Sequence, residues 1–222
     1  MNGLNAEGEG RLVFQNEACM VINKLPGESS EFPEVPAEGG TFPVPVHRLD
    51  TPVSGCLLLA KTPQAAAFLN AAFAGRRVEK HYWAVVEKPS TDALPESGEL
   101  VHWLRFDSAK NKSFAYNEDG EGRKKAVLRY KVSGAGTHYL FMEIDLVTGR
   151  HHQIRAQLAA LGIRIKGDLK YGARRSEKSG GIRLHAHSLA FPDPLHPGER
   201  LEAKTLPPLM DSLWTAFSGI TA

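Results

Sequence analysis

The chain has 222 residues, 42% of them hydrophobic and 23% charged, with a formal net charge of +2, values that exclude a wholly disordered or fibrous protein. That length allows one sizeable core, or two lobes sharing a central sheet, but is short for two independent domains, so a single domain over residues 1–222 is expected. Two cysteines, Cys19 and Cys56, are too few for a disulfide framework and lack zinc-site spacing, and no stretch approaches the roughly 20 apolar residues of a membrane span or a leader pattern. A cytoplasmic chain with no membrane attachment is the expectation.

In chain order, Leu12–Phe14 and Met20–Ile22 flank a polar Gln-Asn-Glu and predict a hairpin. From Pro26 to Pro45, five prolines among glycines and glutamates leave no periodicity, which predicts a long loop of the kind that often carries function. It delivers the chain to His47-Arg48-Leu49-Asp50. Cys56–Ala60, a continuous apolar run after Gly55, predicts a strand buried on both faces. Thr62 as cap, Pro63 in the first turn and an Ala-rich segment closed by Gly75 predict a helix.

Val78–Val86 returns to strand character, with Lys80, Tyr82, Ala84 and Val86 on one face. Leu100–Phe106, Ala126–Val132 and His138–Val147 predict further strands, and the polar Lys110–Lys125 segment predicts a loop. His151–Leu161 predicts a helix with an apolar stripe of Ile154, Leu158 and Leu161, a polar opposite face and Gly162 as its stop. Leu184–Phe191 predicts a strand, and Pro208–Phe217 a closing helix led by Leu209, Leu213 and Phe217. Strands in runs, with few helices, predict an α+β fold with a mainly antiparallel or mixed central sheet flanked by helices and loops.

Charge is unevenly distributed. Residues 1–40 hold seven acids against Arg11 and Lys24, whereas Arg150–Arg183 holds Arg150, Arg155, Arg164, Lys166, Lys170, Arg174, Arg175, Lys178 and Arg183 against Asp168 and Glu177. Such segregation is the footprint of a polyanion-binding face, with a solvated charged surface as the alternative. Three segments carry the candidate chemistry. In His47–Gly55, Asp50 follows Arg48 by two residues, so nearby positive charge can keep its carboxylate ionised. In Lys80–Ala84, Tyr82 can either stack on a base or pack a core. In Thr148–Arg155, a glycine turn feeds a helix start carrying Arg150, Gln153 and Arg155, a place suited to anions.

These segments, in this order, resemble the RluA-type family of pseudouridine synthases. The family's H-R-L-D-x-x-T-S-G-L-L-L-x-A-K stands here as His47 to Lys61, K-x-Y-x-A as Lys80 to Ala84, and T-G-R-x-H-Q-I-R-x-H-L-A-x-L-G as Thr148 to Gly162. Agreement continues through Ile22-Asn23-Lys24, Gly167-Asp168, Tyr171-Gly172 and Leu184-His185-Ala186. Departures include Val53 for threonine, Gln157 for histidine and Leu25 where proline usually follows Asn-Lys.

The resemblance implies a single catalytic domain of the pseudouridine synthase fold, without the small N-terminal RNA-binding module of many relatives, acting as a monomer on ribosomal or transfer RNA. It implies that Asp50 acts on the ribose, that Tyr82 stacks on the uracil and that Arg155 pairs with Asp50. It also implies that Arg48 fills the space of a flipped base, with His47, Arg150 and Gln153 supporting RNA binding. Because uridine isomerisation is redox-neutral and retains all atoms, no cofactor is expected. No metal is expected either: His185 and His187 share a strand face without a third ligand, and adjacent His151 and His152 would point about 100° apart on a helix. The rival readings are a non-catalytic RNA-binding protein of the same fold and a metal-free ribonuclease using His151 or His152 with Asp50.

Overall fold

A computed structural model of the chain describes residues 11–31, 43–89, 94–178 and 180–221. In chain order the strands and helices are β1 (Leu12–Gln15), β2 (Cys19–Lys24), β3 (Val44–Pro45), β4 (Ser54–Ala60), α1 (Pro63–Ala74), β5 (Glu79–Glu87), β6 (Ser97–Asp107), β7 (Lys112–Tyr116), β8 (Lys124–Ala135), β9 (Tyr139–Asp145), α2 (Gln153–Ala160), β10 (Leu184–Pro192), β11 (Arg200–Lys204) and α3 (Ser212–Thr221). Many strands and few helices make this an α+β fold. Two compact units divide it: Met1–Lys80 with Ala186–Pro208, and His81–His185 with Leu209–Ala222.

In the first unit the strand order is β1-β2-β4-β10, with β3 on β4 and β11 on β10. The predicted hairpin is present as antiparallel β1 and β2, in which Gln15 faces Met20. β4 is buried along its whole length, because both of its faces are covered. Cys56, Leu58 and Ala60 join a core with Val21, Phe191 and the Ala65, Leu69 and Ala72 face of α1. Leu57 and Leu59 cluster with Met20 and Ile22 on the other side. α1 starts as the sequence predicts: Thr62 Oγ1 accepts from the Ala65 N–H at 3.1 Å, and Pro63 occupies the first turn. Gly75 ends it with an ordinary negative φ, and Arg76 takes the left-handed conformation instead.

The second unit orders its strands β5-β9-β8-β6-β7. β5 to β9, β9 to β8, β8 to β6 and β6 to β7 are all antiparallel. β7 lies inside the segment expected to be a loop. Its polar composition hid a strand whose Ser113 and Phe114 pair with Phe106 and Arg105. α3 starts at Ser212, later than expected, and its packed face is Trp214 and Phe217 against Trp83, Val85 and Phe141. Leu209, expected on that face, precedes the helix and is 63% exposed.

α2 differs most from its expected shape. It spans only Gln153–Ala160, and Leu161, expected in the apolar stripe, is 44% exposed. Gln153, Arg155 and Gln157, expected on a polar outer face, are all buried. Residues 153–158 of the helix are therefore buried on every face, and the polar side chains among them find partners inside the unit.

Candidate active site

The Asp50 turn belongs to the first unit and is held by backbone ties. Ser30 Oγ accepts from the Leu49 N–H at 3.0 Å and donates to the Leu49 carbonyl at 2.9 Å. The Thr51 carbonyl accepts from the Gly27 N–H at 2.8 Å and from Lys24 Nζ at 3.2 Å. Within the turn, the Val53 N–H donates to the Asp50 carbonyl at 2.9 Å. The residues on both sides of Asp50 are thus fixed, while Asp50 itself is only half-buried. A reacting group needs that combination of fixed backbone and accessible side chain.

Lys24 lies at the base of this turn, fully buried, and also donates to the Leu25 and Glu28 carbonyls at 2.8 and 2.9 Å. Burial pushes its ammonium down to about 8, although the Glu28 and Asp50 carboxylates pull it up. Its motif, Ile22-Asn23-Lys24, was legible as a resemblance. What the residue does required the fold.

His47 serves the scaffold. Its Nε2 accepts from the Leu58 N–H at 2.9 Å, and its ring stacks on Phe73 with centroids 4.9 Å apart. Burial, with Lys80 adding repulsion, pushes the imidazole down to about 3, so it is neutral at physiological pH. Arg48, beside it, is exposed. Gly55 closes the motif at φ +122, and a Cβ there would meet the Ala186 carbonyl oxygen at 2.3 Å. Glycine is required by both conformation and space.

Tyr82 and Arg155 belong to the second unit. Tyr82 sits on β5 opposite Ile144 of β9 and is buried. Arg155 is held by a carboxylate to which the sequence reading assigned no role. Its Nε and Nη2 donate to Asp168 Oδ2 and Oδ1 at 2.7 and 2.8 Å, with the two side chains 4% and 2% exposed. A two-point buried pair of this kind fixes the plane of the guanidinium. The Tyr171 ring lies 5.0 Å from that guanidinium carbon. Its hydroxyl accepts from the Ser113 N–H and donates to the Ser113 carbonyl, both at 3.0 Å. Asp168 and Tyr171 stand in Gly167-Asp168 and Tyr171-Gly172, pairs matched by resemblance alone.

Gln153 is a buried knot in the same unit. Its Oε1 accepts from Thr148 Oγ1 at 2.8 Å and from the Arg150 N–H at 3.0 Å, and its Nε2 donates to the Val127 carbonyl at 3.0 Å. It shapes the Thr148–Arg150 turn. Arg150 is half-buried and donates through Nε to the Lys125 carbonyl at 3.1 Å. His152, at φ 52, caps α2 in the left-handed conformation, so the expected 100° spread between the two histidines does not arise. Their rings stack with centroids 3.8 Å apart. Gln157, where the family has histidine, donates to the Leu100 carbonyl at 3.1 Å from a fully buried position.

Among the described residues, Asp193, His196 and Glu199 hold ligand atoms within 4.8 Å of one another, in the turn between β10 and β11. Asp193 there takes the Leu195 N–H and the His196 ring as partners at 2.8 and 2.9 Å, so the cluster is accounted for as turn structure.

Residues 12–160 match the family model described as RNA pseudouridylate synthase. The chain is 36% identical over 152 residues to an uncharacterized RNA pseudouridine synthase of Zymomonas mobilis, covering 67% of this chain and 66% of that protein. It is 32% identical over 187 residues to tRNA pseudouridine synthase C of Haemophilus ducreyi, with coverages of 77% and 73%. To ribosomal large subunit pseudouridine synthase D of Zymomonas mobilis it is 36% identical over 147 residues, covering 66% of this chain and 43% of that one. Of the first few relatives it matches, the chain spans between half and two-thirds of the length. Human RNA pseudouridylate synthase domain containing 1 shares the fold, with a TM-score of 0.70 at 23% identity over 96% of this chain and 94% of that one. With the fold shared and the family model matched over most of its length, the chain belongs to the RNA pseudouridylate synthase family.

Proposed function

We propose that this protein isomerises specific uridines of ribosomal or transfer RNA to pseudouridine, with Asp50 as the catalytic carboxylate. The observation that carries the reading is the Asp50 turn, whose flanking residues are fixed by Ser30, Gly27 and Lys24 while the aspartate stays accessible. Family membership supports it, as do relatives named for transfer RNA and for the ribosomal large subunit.

The reaction breaks the bond from base nitrogen to ribose, turns the uracil and rejoins it through carbon 5, so the target must leave its stack, at a cost of a few kcal/mol. Asp50 acts on the ribose. Tyr82 stacks on the uracil, and Arg155, its plane fixed by Asp168, provides the counter-charge for the reacting carboxylate. Arg48, exposed beside Asp50, fills the space of the flipped base. Arg150 contacts RNA at the turn that Gln153 shapes, and His47 supports the Asp50 turn from beneath. The two units work as one catalytic domain, as a monomer in the cytoplasm. Neither cofactor nor metal takes part in a rearrangement that retains every atom and electron.

Tritium release from RNA labelled at uridine carbon 5 tests this. Wild-type protein releases tritium from ribosomal or transfer RNA, and Asp50→Asn falls below a few per cent of that rate while its RNA affinity stays within a few-fold. Release retained in Asp50→Asn removes Asp50 from the chemistry. No release by wild type from either RNA leaves a binding protein of the same fold, and chain scission on a sizing gel would mark a ribonuclease.

A further inference from the structure

The second unit carries a cleft of about 420 Å³ lined by none of the proposed catalytic residues. That volume lies within the roughly 300–1,000 Å³ of small-ligand sites. Its walls come from the end of β5 (Glu87, Lys88, Pro89), the turn into β9 (Thr137, His138, Tyr139), and Lys166, Arg174 and Arg175. Four cations therefore face one carboxylate. Glu87 is already engaged, since it accepts the Arg174 N–H at 2.9 Å and lies 4.0 Å from that arginine's Nε. Lys166 is likewise engaged, with Glu177 outside the cleft.

Three positive groups line the opening, of which Arg174 is loosely paired with Glu87 at 4.0 Å. Arg174 is 88% exposed in its side chain, Lys88 and Arg175 are exposed, and among the described residues no ion pair engages the last two. Lys88 is fixed at its backbone by the His138 carbonyl at 2.9 Å. Beside these cations stands an aromatic pair, exposed His138 edge-on to Tyr139 with centroids 6.5 Å apart. Tyr139 is anchored against the Trp83, Phe141 and Phe217 core.

Cations that track a backbone, with an aromatic face between them, form the combination that binds single-stranded nucleic acid. An acidic peptide would use the cations but gain little from the rings. We propose that this cleft binds a single-stranded stretch of the RNA flanking the modified uridine, with phosphates at Lys88, Arg174 and Arg175 and a base stacked on His138. The proposal rests on the RNA-modifying reading above. Glu87 lies five residues along β5 from Tyr82, about 17 Å at roughly 3.4 Å per residue. At a rise of about 3.4 Å per stacked nucleotide, that places the bound stretch about five nucleotides from the target.

The test is fluorescence anisotropy of the full chain with a labelled single-stranded oligouridylate of about twelve nucleotides, long enough to span that distance, over a range of KCl concentrations. Arg174→Ala/Arg175→Ala weakens binding at least about five-fold and lowers the salt slope by about 1.4, the value for two lost phosphate contacts on a single strand. His138→Ala weakens binding by a similar factor without changing the slope. Removing the same charge from the exposed strand positions Arg129 and Lys131 leaves affinity within two-fold, and circular dichroism confirms that every variant is folded. A double variant indistinguishable from that control overturns the proposal. So does competition by polyglutamate as effective as that by oligouridylate, which would make the cleft a peptide site. Because the assay reads binding without turnover, its failure leaves the tritium result standing, and a failed tritium assay leaves the cleft standing.

Discussion

At the scale of single residues, the motif histidine shows how a side chain expected to support RNA binding braces the scaffold. His47 accepts from the Leu58 N–H, and burial holds it down to about 3, against an ordinary 6.5. Between those two values the unfolded chain binds a proton that the folded chain refuses, so stability rises with pH across the window and is lost on acidification. His47→Gln keeps an acceptor and removes the titration. We expect its unfolding free energy and that of wild type to differ most near pH 7 and to converge by about 2–3 kcal/mol on moving to about pH 4.5. Urea midpoints at the two pH values check this, and parallel curves would mean that His47 is accessible to protons in the folded protein.

At the scale of elements, β4 and the Asp50 turn form one mechanical piece, joined at Gly55. Its φ of +122 and the 2.3 Å approach that a Cβ would make to the Ala186 carbonyl leave no relaxed position for any other residue. Backbone on backbone cannot yield as a side-chain tip would. Gly55→Ala should cost about 3 kcal/mol or more, and the surviving folded fraction should lose turnover along with stability, since the strand carries the aspartate turn. Thermal unfolding gives the first number. A variant as stable as wild type would show that β4 and β10 can separate at Gly55 and Ala186 without cost.

At the scale of the whole molecule, the basic stretch near the C-terminal end divides into inward and outward charges. Arg155 pairs with Asp168, and Arg183 with Glu177 and Asp211, while Arg164 donates to the Ala159 carbonyl at 3.0 Å. Lys166 shares Glu177, so the stretch is in part internal structure, and only the remainder is available to a polyanion. Glu177 is central to this network. Burial pushes its carboxyl up, but hydrogen bonds from Arg183 and Lys166 more than reverse that, and the net direction is downward. Its contribution is therefore present above the ordinary value of 4.5 and fades as the pH falls through and below it. Glu177→Gln leaves two enclosed cations short of a partner and should cost about 3 kcal/mol at neutral pH, with the difference from wild type shrinking in acid. Urea unfolding at both pH values measures it.

Local pattern alone was enough for the hairpin, the doubly buried β4 and the capped α1. Each of these depends on neighbours within a few residues: alternation, a cap, a proline in a first turn, a glycine forced by its own φ. The same locality explains what could not be read. β7 was hidden in a polar segment and is held by backbone pairing with β6 and the Tyr171 hydroxyl, and α2 shows no clean stripe because residues 153–158 are buried on every face. The role of Asp168 depends on a guanidinium 13 residues away, that of Lys24 on a carbonyl 27 residues away, and that of Gln153 on a strand 26 residues before it. Buried polar groups must be paired wherever the chain brings a partner. Which partner comes is decided by the packing of strands distant in sequence, so the motif residues were legible one by one, and only the tertiary structure decided which of them hold the others in place.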